Sequence, residues 1–422
     1  MRERLIIRGG NRLEGQVSVS GAKNSVLPIL AATLLSREEC ILHHVPQLSD
    51  IKAMQEILVM LGAKVNQEQD TLIINADSIA SLAVGQESMR QLRASVFLMG
   101  ALLARCKEVC VAYPGGCAIG PRPIDLHLKA LEKMGAVITE AHGMIHMTAP
   151  HLVGARIQFD FPSVGATENA MLAAVLADGV TTLHNVAREP EIAELAQFLQ
   201  KMGAKIHGAG TDTITIQGVE RLTGAVHTIR PDRIEAGTLL MAGAITRGEI
   251  ILTDVEPQVM LAVIDKLREG GVKIRCGQDM IWLRADEMHS VDIKTMPYPA
   301  FPTDLQAPMM ALLTTAKGTG IVTETIFENR FKQIDELVRM GAHIRVDGRS
   351  AVIYGVERLT GATVEAGDLR AGAALVLAGL CAEGVTEIGR VDYIDRGYER
   401  IEDNLRQLKA DIIRKKEINS GG

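Results

Sequence analysis

A five-residue phrase recurs six times along this 422-residue chain, at intervals of 68 to 73 residues. Each copy ends an amphipathic helix pattern, and five copies carry glycine at the second position. Because glycine readily adopts the left-handed conformation that ends a helix, each phrase predicts a helix, a stop and a following strand. A repeat of this length is too long for a solenoid unit, so it predicts two domains of three repeats each. The copies begin at Leu61, Met134, Met202, Gly270, Met340 and Leu408.

Each repeat also contains a second helix pattern, which is apolar on all sides. A helix without a polar face is buried, and strands of alternating polarity, such as the one at Gln16 to Val19, supply a covering layer. We therefore predict an α/β fold with two domains, each made of three βαβαββ-like repeats around buried helices. The apolar helices are predicted over residues 25–35, 94–104, 170–177, 237–244, 306–315 and 371–382.

The composition argues against several classes of protein. A formal net charge of −6 does not supply the basic face that nucleic-acid binding requires. No apolar run reaches the roughly 18 residues that span a bilayer, and the start of the chain lacks the apolar core of a signal peptide. Cys106 and Cys110 lie one helical turn apart, but no second Cys or His pair is near, which favours burial over metal binding. We expect a cytoplasmic chain without membrane or nucleic-acid partners and without a metal.

Polar and often cationic segments precede the apolar helices. The free N–H groups and the positive dipole end of a helix favour anions, and nearby lysine or arginine adds charge. Any one segment alone is usually a helix cap with solvated charges, but six copies in register favour a binding function. We expect them to converge on one end of each domain and to bind a multiply anionic ligand. The segments are 21–24, 89–93, 162–167, 230–233, 302–304 and 368–370.

One loop, residues 113–123, interrupts the repeat with three glycines and three prolines. These residues disfavour regular structure and predict an exposed, hinged loop. The loop carries Cys117 close to Arg122, and a nearby cation lowers the pKa of a thiol and increases its thiolate fraction. A surface cysteine on a turn is the alternative. We favour a reactive cysteine on a lid.

Seven colinear motifs resemble those of the UDP-N-acetylglucosamine enolpyruvyl transferases, a branch of the enolpyruvyl transferase family. The resemblance implies two inside-out α/β barrels, with residues 22–230 forming the first domain. Residues 1–21 and 231–422 would form the second, with the active site in the interdomain cleft. No organic cofactor is implied. The motifs occupy residues 20–24, 114–120, 122–127, 163–167, 301–304, 325–330 and 395–400.

The same resemblance implies a reaction and its residues. The enolpyruvyl group of phosphoenolpyruvate would pass to the 3-hydroxyl of UDP-N-acetylglucosamine with release of phosphate, the first committed step of peptidoglycan precursor synthesis. Cys117 would donate a proton to the vinyl carbon and form a covalent adduct, Asp304 would accept the hydroxyl proton, and Lys23 would assist catalysis. Phosphoenolpyruvate would be bound by Lys23, Asn24, Arg122, Arg370 and Arg396. UDP-N-acetylglucosamine would be bound by Arg93, Arg122, Pro123, Ile124, Asp125, Leu126, Ser163, Val164, Asp304 and Ile326.

Three alternatives remain open at this point. A sister enzyme that acts on shikimate 3-phosphate shares the repeat but lacks a cysteine lid of this form. A non-catalytic paralogue that binds the UDP-sugar is disfavoured because Lys23, Cys117, Asp304 and Arg396 are all present. A structural repeat scaffold would scatter its polar groups over exterior faces, whereas here they precede the buried helices.

Overall fold

The computed structural model describes residues 2–79, 83–84, 96–113 and 124–417. These residues form two compact units. The discontinuous unit contains the chain up to Ser20 and again from Pro231 onward. The inserted unit contains the described chain between Gly21 and Arg230. Lys23 and Ser163 belong to the inserted unit, whereas Asp304, Arg370 and Arg396 belong to the discontinuous unit.

The inserted unit contains three four-stranded sheets and six described helices. The sheet orders are β14-β3-β5-β4, β6-β7-β9-β8 and β10-β11-β13-β12. The strands are β3 Cys40–His43, β4 Lys64–Glu68, β5 Thr71–Asn75, β6 Ala83–Val84, β7 Glu108–Ala112, β8 Val137–Ala141, β9 Met144–Thr148, β10 Arg156–Gln158, β11 Val180–His184, β12 Lys205–His207, β13 Thr213–Gln217 and β14 Val226–Thr228. The helices are α1 Lys23–Thr33, α2 Ser49–Leu61, α3 Leu98–Cys106, α4 Asp125–Lys133, α5 Val164–Ala174 and α6 Pro190–Lys201.

The discontinuous unit repeats this plan. Its sheet orders are β16-β17-β15-β2, β18-β19-β21-β20 and β22-β23-β1-β24. The strands are β1 Arg2–Arg8, β2 Glu14–Ser18, β15 Glu249–Thr253, β16 Lys273–Cys276, β17 Met280–Arg284, β18 Ile293–Lys294, β19 Thr319–Thr323, β20 His343–Asp347, β21 Ser350–Tyr354, β22 Thr363–Glu365, β23 Val385–Gly389 and β24 Asp411–Glu417. The helices are α7 Arg233–Ile245, α8 Leu261–Glu269, α9 Gln306–Leu313, α10 Gln333–Arg339, α11 Leu369–Cys381 and α12 Ile401–Gln407.

All six sheets share one topology, which is the βαβαββ order expected from the sequence. In each, one parallel strand pair is extended by two antiparallel strands. Strands from distant parts of the chain complete three of the sheets. β14 pairs with β3 in the inserted unit, while β1 and β2 complete two sheets of the discontinuous unit. None of these six described sheets closes on itself, so the layout is one of separate sheets around helices.

The apolar helices form the core of each unit, as predicted. In the discontinuous unit α7, α9 and α11 contact one another pairwise, and in the inserted unit α3 packs on α5. The predicted start of α5 at residue 170 is wrong, because the helix begins at Val164 and buries three polar residues before Ala170. An apolar pattern cannot detect helical turns whose buried side chains are polar. These three residues are Thr167, Glu168 and Asn169.

The recurring phrase ends its helices in the expected conformation. The five glycines have φ between 94° and 109°. Lys409 occupies the glycine position of the sixth copy and still has φ of 68°. The sixth copy therefore keeps the left-handed backbone conformation without glycine, although this conformation is sterically less favourable for a residue with a side chain. The glycines are Gly62, Gly135, Gly203, Gly271 and Gly341.

The segment from Arg414 onward is expected from its polarity to be disordered, and this expectation is wrong as far as Glu417. β24 continues to Glu417 and pairs along its length with β1. Arg414 donates to Glu3, to both oxygens of Asp395 and to both oxygens of Glu402, at 2.7 to 3.1 Å. These acceptors raise the pKa of its guanidinium further above the usual range. A sequence pattern cannot show that a polar strand is fixed by a partner strand more than four hundred residues away.

Candidate active site

Asp304 lies at the centre of a charged cluster in the discontinuous unit. It belongs to the 3-10 turn Thr303–Leu305, directly before the buried helix α9. Its Oδ1 accepts a hydrogen bond from Arg330 Nη2 at 2.6 Å, and its Oδ2 accepts one from Arg370 Nη2 at 2.9 Å. Both arginine side chains are buried, while that of Asp304 is 26% exposed. The two guanidinium groups hold the carboxylate ionised and fixed, with one side open to solvent.

Arg370 is positioned by its own helix and by Tyr398. The Asp368 carboxylate caps α11 by accepting from the Arg370 and Ala371 N–H groups, both at 2.9 Å. Arg370 Nη1 donates to the hydroxyl of Tyr398 at 3.2 Å. Burial alone would lower the pKa of the Arg370 guanidinium, but Asp304, Tyr398 and Asp232 together outweigh burial and raise that pKa. Arg370 is therefore a permanent buried cation with a fixed direction.

Glu324 is a site-forming residue that the sequence analysis missed. Its buried carboxylate accepts from Thr303 Oγ1 at 2.8 Å and from Thr295 Oγ1 at 2.9 Å. It also accepts from the backbone N–H groups of Ile326 and Phe327, at 2.8 and 3.1 Å. One side chain thus connects the turn that carries Asp304 to the segment that carries Ile326. The only sequence signal for it is an acidic residue directly after a strand pattern.

In the inserted unit Lys23 is the first residue of α1 and forms a buried ion pair. Its Nζ lies 2.6 Å from Oδ2 of Asp50, which is in the first turn of α2. Removing either partner of a buried ion pair leaves an uncompensated buried charge, so each of these two residues requires the other. Asp50 was not anticipated from the sequence. It fixes the ammonium group on which the predicted phosphoenolpyruvate site depends.

The predicted UDP-sugar residues of the inserted unit begin two helices. Ile124, Asp125 and Leu126 stand at the start of α4, and Ser163 and Val164 at the start of α5. The Ser163 hydroxyl caps α5 by accepting from the Ala166 N–H at 3.4 Å. The α4 and α5 contact brings these two helix starts into the same part of the unit.

The remaining predicted residues divide between described and undescribed segments. Asn24 is the second residue of α1, and Arg396 ends the 3-10 segment Val391–Arg396. The Ile326 N–H is held by Glu324. Arg93, Cys117, Arg122 and Pro123 lie outside the described residues, so their predicted roles stay predictions.

His127, on α4, is the ionisable group of this region whose pKa moves furthest below its ordinary value. Burial lowers the pKa of its imidazole from 6.5 to about 4, against a small opposing influence of Asp125. The folded state binds the His127 proton less tightly than the unfolded state does. The contribution of this group to the free energy of unfolding is therefore complete above pH 6.5 and is lost as the pH falls towards 4.

We expect His127→Gln to reduce this acid sensitivity. Between pH 7 and pH 5 the wild-type inserted unit should lose roughly 2 kcal/mol of unfolding free energy through this group, and the variant should not. Urea titrations at the two pH values measure the difference. Equal losses in both proteins would mean that His127 does not carry the proton linkage.

Two further properties bear on the chemistry. No group of three or more His, Cys, Asp or Glu side chains in the described ranges is arranged to hold a metal ion. Within the same ranges no helix is long and apolar enough to cross a membrane.

A family model described as EPSP synthase (3-phosphoshikimate 1-carboxyvinyltransferase) matches residues 7–405. The chain therefore belongs to this family of carboxyvinyl transferases. This confirms the family, the fold class and the transferase activity expected from the sequence.

Individual relatives show which kinds of carboxyvinyl transferase this chain resembles. The chain is 54% identical to UDP-N-acetylglucosamine 1-carboxyvinyltransferase 2 of Carboxydothermus hydrogenoformans, covering 98% of this chain and 99% of the relative. It is 52% identical to UDP-N-acetylglucosamine 1-carboxyvinyltransferase of Magnetococcus marinus, with the same coverage. Among solved structures, the enolpyruvyl transferase NikO of Streptomyces tendae has a TM-score of 0.88 at 25% identity, covering 98% of this chain and 99% of that one. The EPSP synthase of Acinetobacter baumannii, with a TM-score of 0.76 at 18% identity over 99% of this chain and 100% of its own, shares the fold.

Proposed function

We propose that this chain transfers the enolpyruvyl group of phosphoenolpyruvate to the 3-hydroxyl of UDP-N-acetylglucosamine and releases phosphate. The observation that carries the proposal is the partly exposed Asp304 carboxylate, paired with the buried guanidinium groups of Arg330 and Arg370, which favour its ionised form. An ionised carboxylate fixed in this way can accept a hydroxyl proton without moving. The names of relatives that are more than half identical over nearly the whole chain support the choice of acceptor.

The chemistry assigns a task to each predicted residue. The sugar hydroxyl oxygen attacks the central carbon of phosphoenolpyruvate while its proton passes to Asp304. The vinyl carbon takes a proton from Cys117. The tetrahedral adduct then returns a proton from that carbon to the Cys117 thiolate and loses inorganic phosphate, which takes up the proton held by Asp304. Lys23, Asn24, Arg122, Arg370 and Arg396 would bind the phosphate and carboxylate groups, because cations stabilise the charge that develops there.

The two units contribute different parts of this assignment. Lys23 and the starts of α4 and α5 belong to the inserted unit, and the Asp304 cluster belongs to the discontinuous unit. We include in the proposal that both predicted domains supply substrate-binding residues. The proposal also includes the role of residues 113–123 as a lid and the place of the reaction in peptidoglycan precursor synthesis.

Phosphate release from phosphoenolpyruvate tests the proposal directly. We expect release that depends on UDP-N-acetylglucosamine and is absent with shikimate 3-phosphate as acceptor. Release only with shikimate 3-phosphate would transfer the assignment to the sister reaction. If neither acceptor supports release although the UDP-sugar raises the melting temperature, the chain is a binding protein and the proposal is wrong.

A further inference from the structure

Asn169 is a fully buried amide in the middle of the buried helix α5. The residues that follow it along the helix to Ala174 are all small or apolar. The helix packs closely on α3 at this point, since a Cβ added to Gly100 would lie 2.3 Å from the backbone oxygen of Asn169. A polar side chain in so tight a contact is stable only when its hydrogen bonds are satisfied.

Two backbone groups fix which way the Asn169 amide points. The N–H of Gly100 donates to Oδ1 at 2.8 Å, and Nδ2 donates to the carbonyl of Val96 at 2.9 Å. A backbone N–H can only donate and a carbonyl can only accept, so exchanging the amide oxygen and nitrogen would break both bonds. The hydrogen bonds to the backbone therefore determine which side of the amide carries the oxygen and which the nitrogen.

This orientation determines the tautomer of His127. Nδ2 of Asn169 lies 2.9 Å from Nδ1 of His127. Because the amide nitrogen is the donor, Nδ1 must accept, and the single proton of the neutral ring must be on Nε2. Burial lowers the pKa of the ring to about 4, so the neutral form persists at physiological pH.

The Nε2–H group of His127 lies against the first turn of α5. A Cβ added to Gly165 would be 3.0 Å from Cε1 and 3.3 Å from Nε2 of the ring. No described residue accepts a hydrogen bond from Nε2, although the side chain is only 8% exposed. The first N–H groups of a helix also have no acceptor within the helix. A buried side-chain donor and the start of an eleven-residue helix are thus adjacent.

We propose that Asn169 is a positioning residue that fixes His127 as a neutral Nε2–H donor for a diphosphate oxygen of the nucleotide sugar. The choice of ligand rests on the proposed function, in which Ile124, Asp125, Leu126, Ser163 and Val164 bind the same molecule. A helix N-terminus favours an anion, and a donor with a locked tautomer adds direction. The predicted cations contribute charge. Asn169 and His127 contribute a hydrogen-bond donor whose direction does not change with pH near neutrality.

Calorimetric titration of the full-length protein tests the contact. His127→Leu should weaken UDP-N-acetylglucosamine binding about 10- to 100-fold, as expected for loss of a hydrogen bond to a charged group. Uridine should bind equally well to both proteins. His127→Gln, which returns an N–H near the position of Nε2, should recover most of the loss, and KM for the UDP-sugar should rise more than kcat falls. Unchanged binding by His127→Leu would overturn the contact.

Asn169→Asp tests the positioning role with almost no change in volume. An aspartate at this position accepts from Nδ1, which moves the ring proton away from Nε2 in the neutral form. We expect weakened UDP-N-acetylglucosamine binding, and imidazole 15N NMR should show protonation on Nε2 in the wild type and on Nδ1 in the variant. A wild-type ring protonated on Nδ1 at pH 7 would refute the assignment, even if a variant fails to fold.

Two controls separate this inference from the proposed function. His146→Gln changes an exposed histidine that pairs with Glu108 and should bind the UDP-sugar as the wild type does. Inorganic pyrophosphate serves as a second probe, and it should compete with UDP in the wild type but only weakly in His127→Leu. If the wild type has no UDP-sugar-dependent turnover, the proposed function fails, while the NMR result still decides the tautomer and pyrophosphate still decides the anion contact.

Discussion

Replacing Cys117 by serine is expected to abolish measurable turnover while leaving the binding of UDP-N-acetylglucosamine intact. A serine hydroxyl is a far weaker acid and nucleophile than a thiol beside a cation, so the proton to the vinyl carbon and the covalent adduct are both lost. Loss of a general acid alone lowers the rate about 100- to 10,000-fold. Phosphate release measures turnover, and calorimetry measures binding.

Cys276 provides a matched control for this experiment. It is exposed, and its sulfur lies 3.9 Å from Nη2 of Arg268, so it is also a cysteine beside an arginine. Cys276→Ser should retain full turnover. The epoxide phosphonate fosfomycin should alkylate Cys117 and not Cys276, which peptide mass spectrometry can locate. Undiminished turnover in Cys117→Ser, or an adduct on another cysteine, would remove Cys117 from the mechanism.

Asp304→Asn is expected to have the next largest effect. The amide is nearly the same size but cannot accept the hydroxyl proton, so kcat should fall about 100- to 10,000-fold. The melting temperature should fall as well, because the substitution leaves Arg330 and Arg370 buried without the carboxylate between them. Phosphate release and thermal unfolding provide the two measurements.

Asp265→Asn is the control, since Asp265 is a largely exposed aspartate of the same unit. It should change neither quantity. A second variant separates a proton acceptor from an orienting group: Arg330→Met removes one hydrogen bond to Asp304 but retains the carboxylate. We expect a smaller loss of kcat in Arg330→Met than in Asp304→Asn. A kcat for Asp304→Asn within threefold of the wild type would rule out Asp304 as the base.

The sequence predicted those parts of the fold that repeat. The phrase and the apolar helices are local signals, so the helix ends, the left-handed glycines and the buried helices could all be recognised. The strand pairings that complete distant sheets could not be recognised from local signals, because the pairing of Leu5 with Ile388 has no local signature. Only the family resemblance implied that residues 1–21 belong with the second domain. The start of α5 was predicted six residues late for a related reason, since Asn169 is buried by hydrogen bonds that only the folded chain provides.

The candidate site divides in the same way. Lys23, Asp304 and Arg370 lie in motifs or at helix starts. A charged residue next to an apolar helix pattern can be recognised there from the sequence alone. Asp50, Glu324 and Asn169 act on other residues of the site, and each does so through a partner that is remote in sequence or through the backbone. Their positions carry no charge pattern or spacing that distinguishes them from ordinary caps and surface groups.

The pairing of β1 with β23 and β24 has a consequence for synthesis on the ribosome. β1 is made before the other described strands, yet Ile388, the partner of its Leu5, emerges 383 residues after Leu5. At about 5 to 20 residues per second, the delay is about 20 to 80 s. All strands of the inserted unit are complete long before then, so that unit can fold while β1 still has two unpaired edges. The nascent chain therefore carries an unpaired strand with an apolar centre, Leu5 to Ile7, that must be kept from pairing elsewhere until the last sheet is made.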